Sequence, residues 1–180
     1  MLIAKEKRKD NIAEYVLYMW QVEDSVRACQ FNIDLIDKYL ISQFSEPEKI
    51  KAEFRDWYAN IILTMHEEKI KESGHMKMLR LLVEDMNKLH LKLINVQKDP
   101  KYLEQYYWTV PNLRDFGEKL GPNVENEVEI CLSALYALLL LRLQKREVSD
   151  ETIEAMHTFS NLMALLSNWY KKIELGEEVL

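Results

Sequence analysis

Glycine and proline are scarce, with four of each in 180 residues, against average usage of about 7% and 5%. Chain reversals are therefore few and regular elements long, and a glycine-rich phosphate loop has almost no material. No segment alternates apolar and polar residues between turn signals, so no sheet is expected. Cysteine is equally sparse. Cys29 and Cys131 lie in apolar helical patterns, with neither the number of a disulfide framework nor the spacing of a metal site. They are expected to be buried thiols in a reducing compartment. There is no HExxH, no Cys-x-x-Cys and no nucleophile elbow. Long apolar runs are missing as well. The greasiest stretch, residues 130–143, contains Arg142 and falls short of the roughly 20 residues a bilayer span requires. The first ten residues lack the apolar run of a signal peptide. A cytoplasmic protein without a membrane span is the expectation.

The net charge of −6 is spread along the chain and argues against a nucleic-acid footprint. The exception is Lys5, Lys7, Arg8 and Lys9. The positive end of a helix dipole disfavours lysines in a first turn. These residues are read as a solvated approach to a helix starting near Asp10 or Asn11, where Asn11 and Glu14 have capping-box spacing.

What remains is apolar content of 48% arranged at helical spacing. A domain this long buries roughly 70% of its unfolded surface, and nothing marks a second domain. The first helix, residues 10–29, carries Ile12, Val16, Met19, Glu23 and Val26 along one face. Asn32 caps a short second helix. Ser45 starts a third, with Pro47 in its first turn and Gly74 as its stop. The fourth, residues 76–97, repeats Leu79, Leu82, Met86, Leu89, Leu93 and Val96 without a break. Asp99-Pro100 starts the fifth, and Pro111 predicts a kink or break near Thr109–Val110. The sixth covers residues 123–146 and is expected to be central. Ser149 or Asp150 caps the last. Short connections favour antiparallel neighbours. The fold class read from this pattern is all-α: a single up-and-down helical bundle of six or seven helices over residues 1–180.

Candidate chemistry is thin. Glu154 with His157, and Glu72 with His75, have the Glu-x-x-His spacing of di-iron bundles. Both read as solvent-facing flanks, the second because it straddles Gly74, and no metal or other cofactor is expected. His66 and His90 flank apolar stripes and read as hydrogen-bonded boundary residues.

A polar cluster of Glu14, Glu23, Asp24, Arg27 and Arg142 is the better candidate. Glu23 falls on an apolar stripe, so a buried carboxylate there needs a partner. Arg27 lies one turn onward, and Arg142 interrupts the apolar sixth helix. A Glu23–Arg27 or Glu23–Arg142 pair would satisfy both charges, either as a structural salt bridge fixing helix register or as the polar wall of a small-molecule pocket. Tyr106, Tyr107 and Trp108 run around one helix. Three adjacent aromatics cannot all face one core, which makes them a candidate interaction surface.

The residues Asn11-Ile12-Ala13-Glu14-Tyr15 and Tyr18-Met19-Trp20-Gln21-Val22-Glu23-Asp24, with Arg27 and Ala28 following, resemble an all-helical bacterial family of unassigned activity, domain-of-unknown-function family 4924. The resemblance extends to the Thr152–Tyr170 segment and implies no chemistry. Apolar and aromatic faces in excess of what one bundle can bury point instead to a non-enzymatic interaction module, a homo-oligomer or the partner of another protein. The alternative is a small-molecule-binding or enzymatic bundle with a buried polar cluster between its helices.

Overall fold

A computed structural model of the chain describes residues 2–121, 124 and 126–178. Among these, all regular structure is helical. The eight α-helices are α1 (Leu2–Asp10), α2 (Ile12–Ala28), α3 (Ile33–Tyr39), α4 (Glu48–Glu67), α5 (Lys77–Lys92), α6 (Pro100–Leu120), α7 (Glu127–Leu143) and α8 (Asp150–Glu174). A 3₁₀ turn follows α3, and a π-helical segment, Leu93–Gln97, extends α5. The all-α class stands, but the expected six or seven helices become eight.

The extra helix is α1, where only a solvated approach was expected. Its basic residues Lys7, Arg8 and Lys9 occupy its last turn, the end of the dipole that favours them. The chain turns at Asn11, whose extended backbone separates α1 from α2. Asn11 Oδ1 accepts the Glu14 N–H at 3.1 Å. The reciprocal half of a capping box is absent because the Asn11 N–H already donates to the Lys7 carbonyl, leaving Glu14 to pair with Lys7 Nζ at 2.9 Å.

Other boundaries move for similar local reasons. α4 stops at Glu67 rather than at Gly74, because Lys69 takes the left-handed conformation (φ 58°) and Ile70 N–H closes back on the Met65 carbonyl, a Schellman stop. Pro47 precedes the first turn of α4 as its cap. The apolar seam of α5 ends early. The π-helical widening shifts its register, and Val96 is left 76% exposed while Leu79, Met86, Leu89 and Leu93 are buried. α6 runs through Pro111 without a break; the carbonyl that Pro111 cannot bond is that of exposed Tyr107. α6 buries Tyr102, Thr109 and Leu113. The expected start of the sixth helix at residue 123 lies outside the described residues; α7 itself begins at Glu127 behind Asn126, whose side chain accepts the Glu129 N–H at 2.9 Å.

α8 packs on α2, α5, α6 and α7, and α7 also packs on α2, α5 and α6. The core lies among them, with Phe159, Leu162, Leu166, Leu132, Cys131 and Val16 fully buried. α5 packs on α2, α7 and α8, so the sequence neighbours of α5 are not its main packing partners, as a simple up-and-down order requires. α4 packs on α2, and α3 packs on α4. α5 and α7 both pack on α2, and the α4–α5 loop reaches α2 through hydrogen bonds to Glu23 and Arg27.

Candidate functional site

Glu23 has no exposed surface. Its helix α2 is apolar on nearly every side at this level, with Met19, Trp20, Val22 and Val26 also buried. A carboxylate in such a place needs hydrogen-bond donors. The α4–α5 loop supplies them. Met76 N–H donates to Glu23 Oε1 at 2.7 Å, and His75 Nδ1 lies 2.6 Å from Glu23 Oε2. Met76 caps the start of α5, so one of the orphan donors of that helix start is satisfied by the buried acid.

The loop is held by the next turn of α2. Arg27 Nη1 bonds Asp24 Oδ1 at 2.8 Å. Arg27 Nη2 donates to the Ile70 carbonyl at 3.1 Å and to the Gly74 carbonyl. A forked guanidinium suits this task, because it can grip two carbonyls and a carboxylate at once. Gly74 itself adopts φ 87°, a conformation glycine takes without strain. Glu68 Oε2 accepts the Lys77 N–H at 2.5 Å and ties the two ends of the loop together.

Aromatic rings complete the arrangement. The His75 ring stacks on Trp20 with centroids 4.2 Å apart and planes 13° apart. Tyr136 of α7 meets Trp20 edge-on at 5.7 Å and donates its hydroxyl to Asp24 Oδ2 at 2.6 Å. Burial, and then the Asp24 carboxylate that accepts its proton, pushes the Tyr136 phenol above its usual range. The indole N–H of Trp20 is buried without a partner among the described residues.

His75 keeps 31% of its side chain exposed and lines a cavity of about 230 Å³ with Trp20, Leu79, Arg80, Glu84 and Glu129 among its walls. Only Nδ1 of His75 is hydrogen-bonded among the described residues. When Nδ1–H donates to the carboxylate, Nε2 carries the free lone pair, the tautomer a buried acid selects. An imidazole so held can accept a hydrogen bond or a proton from a bound molecule.

Of the polar cluster named from sequence, Glu23, Asp24 and Arg27 come together here. Glu14 and Arg142 do not. They line a different cavity, of about 370 Å³, between α2, α7 and α8, where Arg142 is exposed. Neither expected pair forms, since Glu23 meets loop donors and Arg27 meets Asp24 and carbonyls. Sequence reasoning missed His75 and Tyr136. His75 was visible only as half of a Glu72–His75 pattern, and the structure pairs it with Glu23 instead. His157, from the other such pattern, lines the second cavity. Among the described residues no three His, Cys, Asp or Glu side chains group as metal ligands.

A second buried network sits at the far end of α5. His90, with no exposed surface, has Nδ1 2.6 Å from the Tyr102 hydroxyl and Nε2 2.9 Å from Glu127 Oε2. The Tyr106 hydroxyl donates to Glu127 Oε1 at 3.2 Å. His90, expected at the boundary of a stripe, is thus fully inside, and it joins α5, α6 and α7. The His90 hydrogen bond holds the Glu127 carboxyl below its ordinary range against the opposing effect of burial. Tyr106 is partly covered by these contacts, while Tyr107 and Trp108 stand 67% and 68% exposed.

The model of the family described as domain of unknown function (DUF4924) matches residues 1–177. The chain belongs to this family. The match spans both networks, so the helix that carries Trp20 and Glu23, the loop that carries His75 and the α5–α7 junction all lie within the family domain. No curated protein and no solved structure matches the chain. No helix is long and apolar enough to cross a membrane among the described residues.

Proposed function

We propose that this protein binds a small polar molecule in the cavity between α2, α5 and α7, with His75 as its central contact. The observation that carries the reading is the buried Glu23, which grips His75 from behind at 2.6 Å while the ring lines a cavity. A salt bridge that merely fixed helix register would need no opening beside it. Apolar walls with a few convergent polar groups are the usual make-up of a ligand site, although about 230 Å³ is below the roughly 300–1,000 Å³ of drug-sized pockets. The ligand is accordingly small. Cys29 and Cys131 are buried and unpaired, which supports the cytoplasmic setting included in this proposal.

The test is native mass spectrometry of untagged protein from its own host, beside a Val83→Phe variant that narrows the cavity. The expected outcome is an added mass on the wild type that is lost in the folded variant. An added mass retained equally by both would remove the cavity from the reading.

A second reading, contact with another protein chain or a second copy, is supported by exposed Tyr107 and Trp108. Large aromatics are enriched where surfaces meet. Sedimentation of wild type against a Tyr107→Ser/Trp108→Ser variant separates the two: an oligomer that the variant breaks supports it, and a wild-type monomer at all concentrations overturns the homo-oligomer.

A further inference from the structure

The walls of the His75 cavity carry opposite charges in a fixed order. Arg80 and Glu84, four residues apart on α5, both line it, about 6 Å apart along the helix axis, and Glu129 of α7 adds a second carboxylate to the wall. Arg80 Nε donates to the His75 carbonyl at 3.2 Å. That bond ties the guanidinium to the loop backbone at His75 and leaves its two Nη groups for a ligand. The Glu84 carboxylate makes no hydrogen bond among the described residues; its charge neighbour is Lys88, one turn further on. Leu79 and Val83, both buried, give the same cavity its apolar lining.

This inference rests on the reading of the cavity as a ligand site. We infer that the ligand is a small zwitterion of the amino-acid class: a carboxylate on Arg80, an ammonium on Glu84 and an apolar side chain over Leu79 and Val83. An anion alone would set its charge near the carboxylates of Glu84 and Glu129, and a cation alone would set its charge near Arg80. Only a molecule bearing both charges uses both side chains without leaving one of them facing a like or empty neighbour. His75, which lines the same cavity, accepts through Nε2 a hydrogen bond that the ligand offers. The guanidinium, planar and forked, suits a carboxylate better than a lysine would.

Calorimetric titration with leucine, with its decarboxylated amine and with its deaminated acid tests the inference. Leucine is expected to bind about ten- to a hundredfold more tightly than either single-charge analogue, the range one charged hydrogen-bonded contact supplies. Arg80→Met should remove the advantage of leucine over the amine, and Glu84→Gln its advantage over the acid. Both side chains are exposed, so neither variant threatens the fold. Equal binding of leucine and one analogue, or unchanged binding by the two variants, overturns the zwitterion. So does silence of all three probes. In each of these cases the native mass comparison of wild type and Val83→Phe still decides independently whether the cavity holds any ligand.

Discussion

Replacing Glu23 separates what holds the α4–α5 loop from what orients His75. Glu23→Leu fits the apolar surroundings of α2 but removes both acceptors. The Met76 N–H is then a buried donor without a partner, which costs about 1–3 kcal/mol. The His75 bond, at 2.6 Å to a carboxylate, is of the charged kind that contributes about 1.5–3 kcal/mol. Burial of the leucine offsets part of this and leaves a net loss of about 2–4 kcal/mol. For a chain of this length each kcal/mol moves Tm by roughly 2–4 °C, so calorimetry should find the variant melting about 5–15 °C lower. Glu23→Gln behaves differently. Its carbonyl oxygen still accepts the Met76 N–H, and its amide now presents N–H to His75. The imidazole must turn Nδ1 into an acceptor and carry its proton on Nε2. The expected Tm fall is small, roughly 2–4 °C for about 1 kcal/mol, but long-range imidazole ¹⁵N–¹H spectra should show the tautomer reversed. A Glu23→Leu protein melting within about 1 °C of wild type would refute the reasoning, because the buried Met76 N–H would then have lost its acceptor at no cost. An unchanged tautomer in Glu23→Gln would refute the orienting role separately.

The network at the far end of α5 gives a complementary result. His90→Leu leaves the Tyr102 hydroxyl buried without its partner and should cost about 2–4 kcal/mol by denaturant unfolding, whereas adding Tyr102→Phe should recover about 1 kcal/mol, since removing both partners is milder than orphaning one. A double variant no more stable than the single one counts against the bond. Glu127 has its pKa lowered in the folded protein, so its contribution to stability is present above the unfolded glutamate value and is lost as pH falls through the folded one. Glu127→Gln should therefore lose less stability than wild type between about pH 6 and about pH 3, and parallel melting curves against pH would contradict this. Lys69 and Lys145 hold φ 58° and 54° at helix ends where an L side chain is strained. Lys69→Gly and Lys145→Gly should each raise Tm by roughly 2–4 °C, for about 1 kcal/mol; a fall at both sites would mean that the lysine side chains outweigh the strain.

These left-handed lysines also explain how much of the fold was legible. The all-α class followed from the shortage of glycine and the helical spacing of apolar residues, and five helix starts were marked by Asn11, Asn32, Asp99, Asn126 and Ser149, whose side chains accept first-turn N–H groups. All but Asn126 are legible as caps or helix starts in the sequence. Helix ends were less visible. A glycine signals its own backbone freedom, but a lysine or glutamine forced to positive φ signals nothing, and Gln30, Lys69, Lys98 and Lys145 all take that role. α1 went unread for a related reason: charge near a helix is informative only when one knows which end it occupies. Lys7, Arg8 and Lys9 were wrong for the start of α2 because they were right for the end of α1.

The candidate site was legible by half, and the half that was missing has one cause. That Glu23 needs a partner follows from its place on an apolar stripe, a property of one helix. Which partner it finds depends on where the α4–α5 loop runs. Arg27 and Arg142 were the natural candidates, because one is a turn away and the other interrupts a greasy helix. The loop changes both outcomes. Because Lys69 stops α4 early, residues 70–76 are free to cross α2, and Arg27 is spent on the carbonyls of Ile70 and Gly74. With Arg27 drawn to the loop, Glu23 is left facing its next residues, the Met76 N–H and His75. The partnership spans 52 residues and hangs on one lysine in an unfavoured conformation. Local pattern specifies the demand for a donor, and the path of a loop specifies the donor.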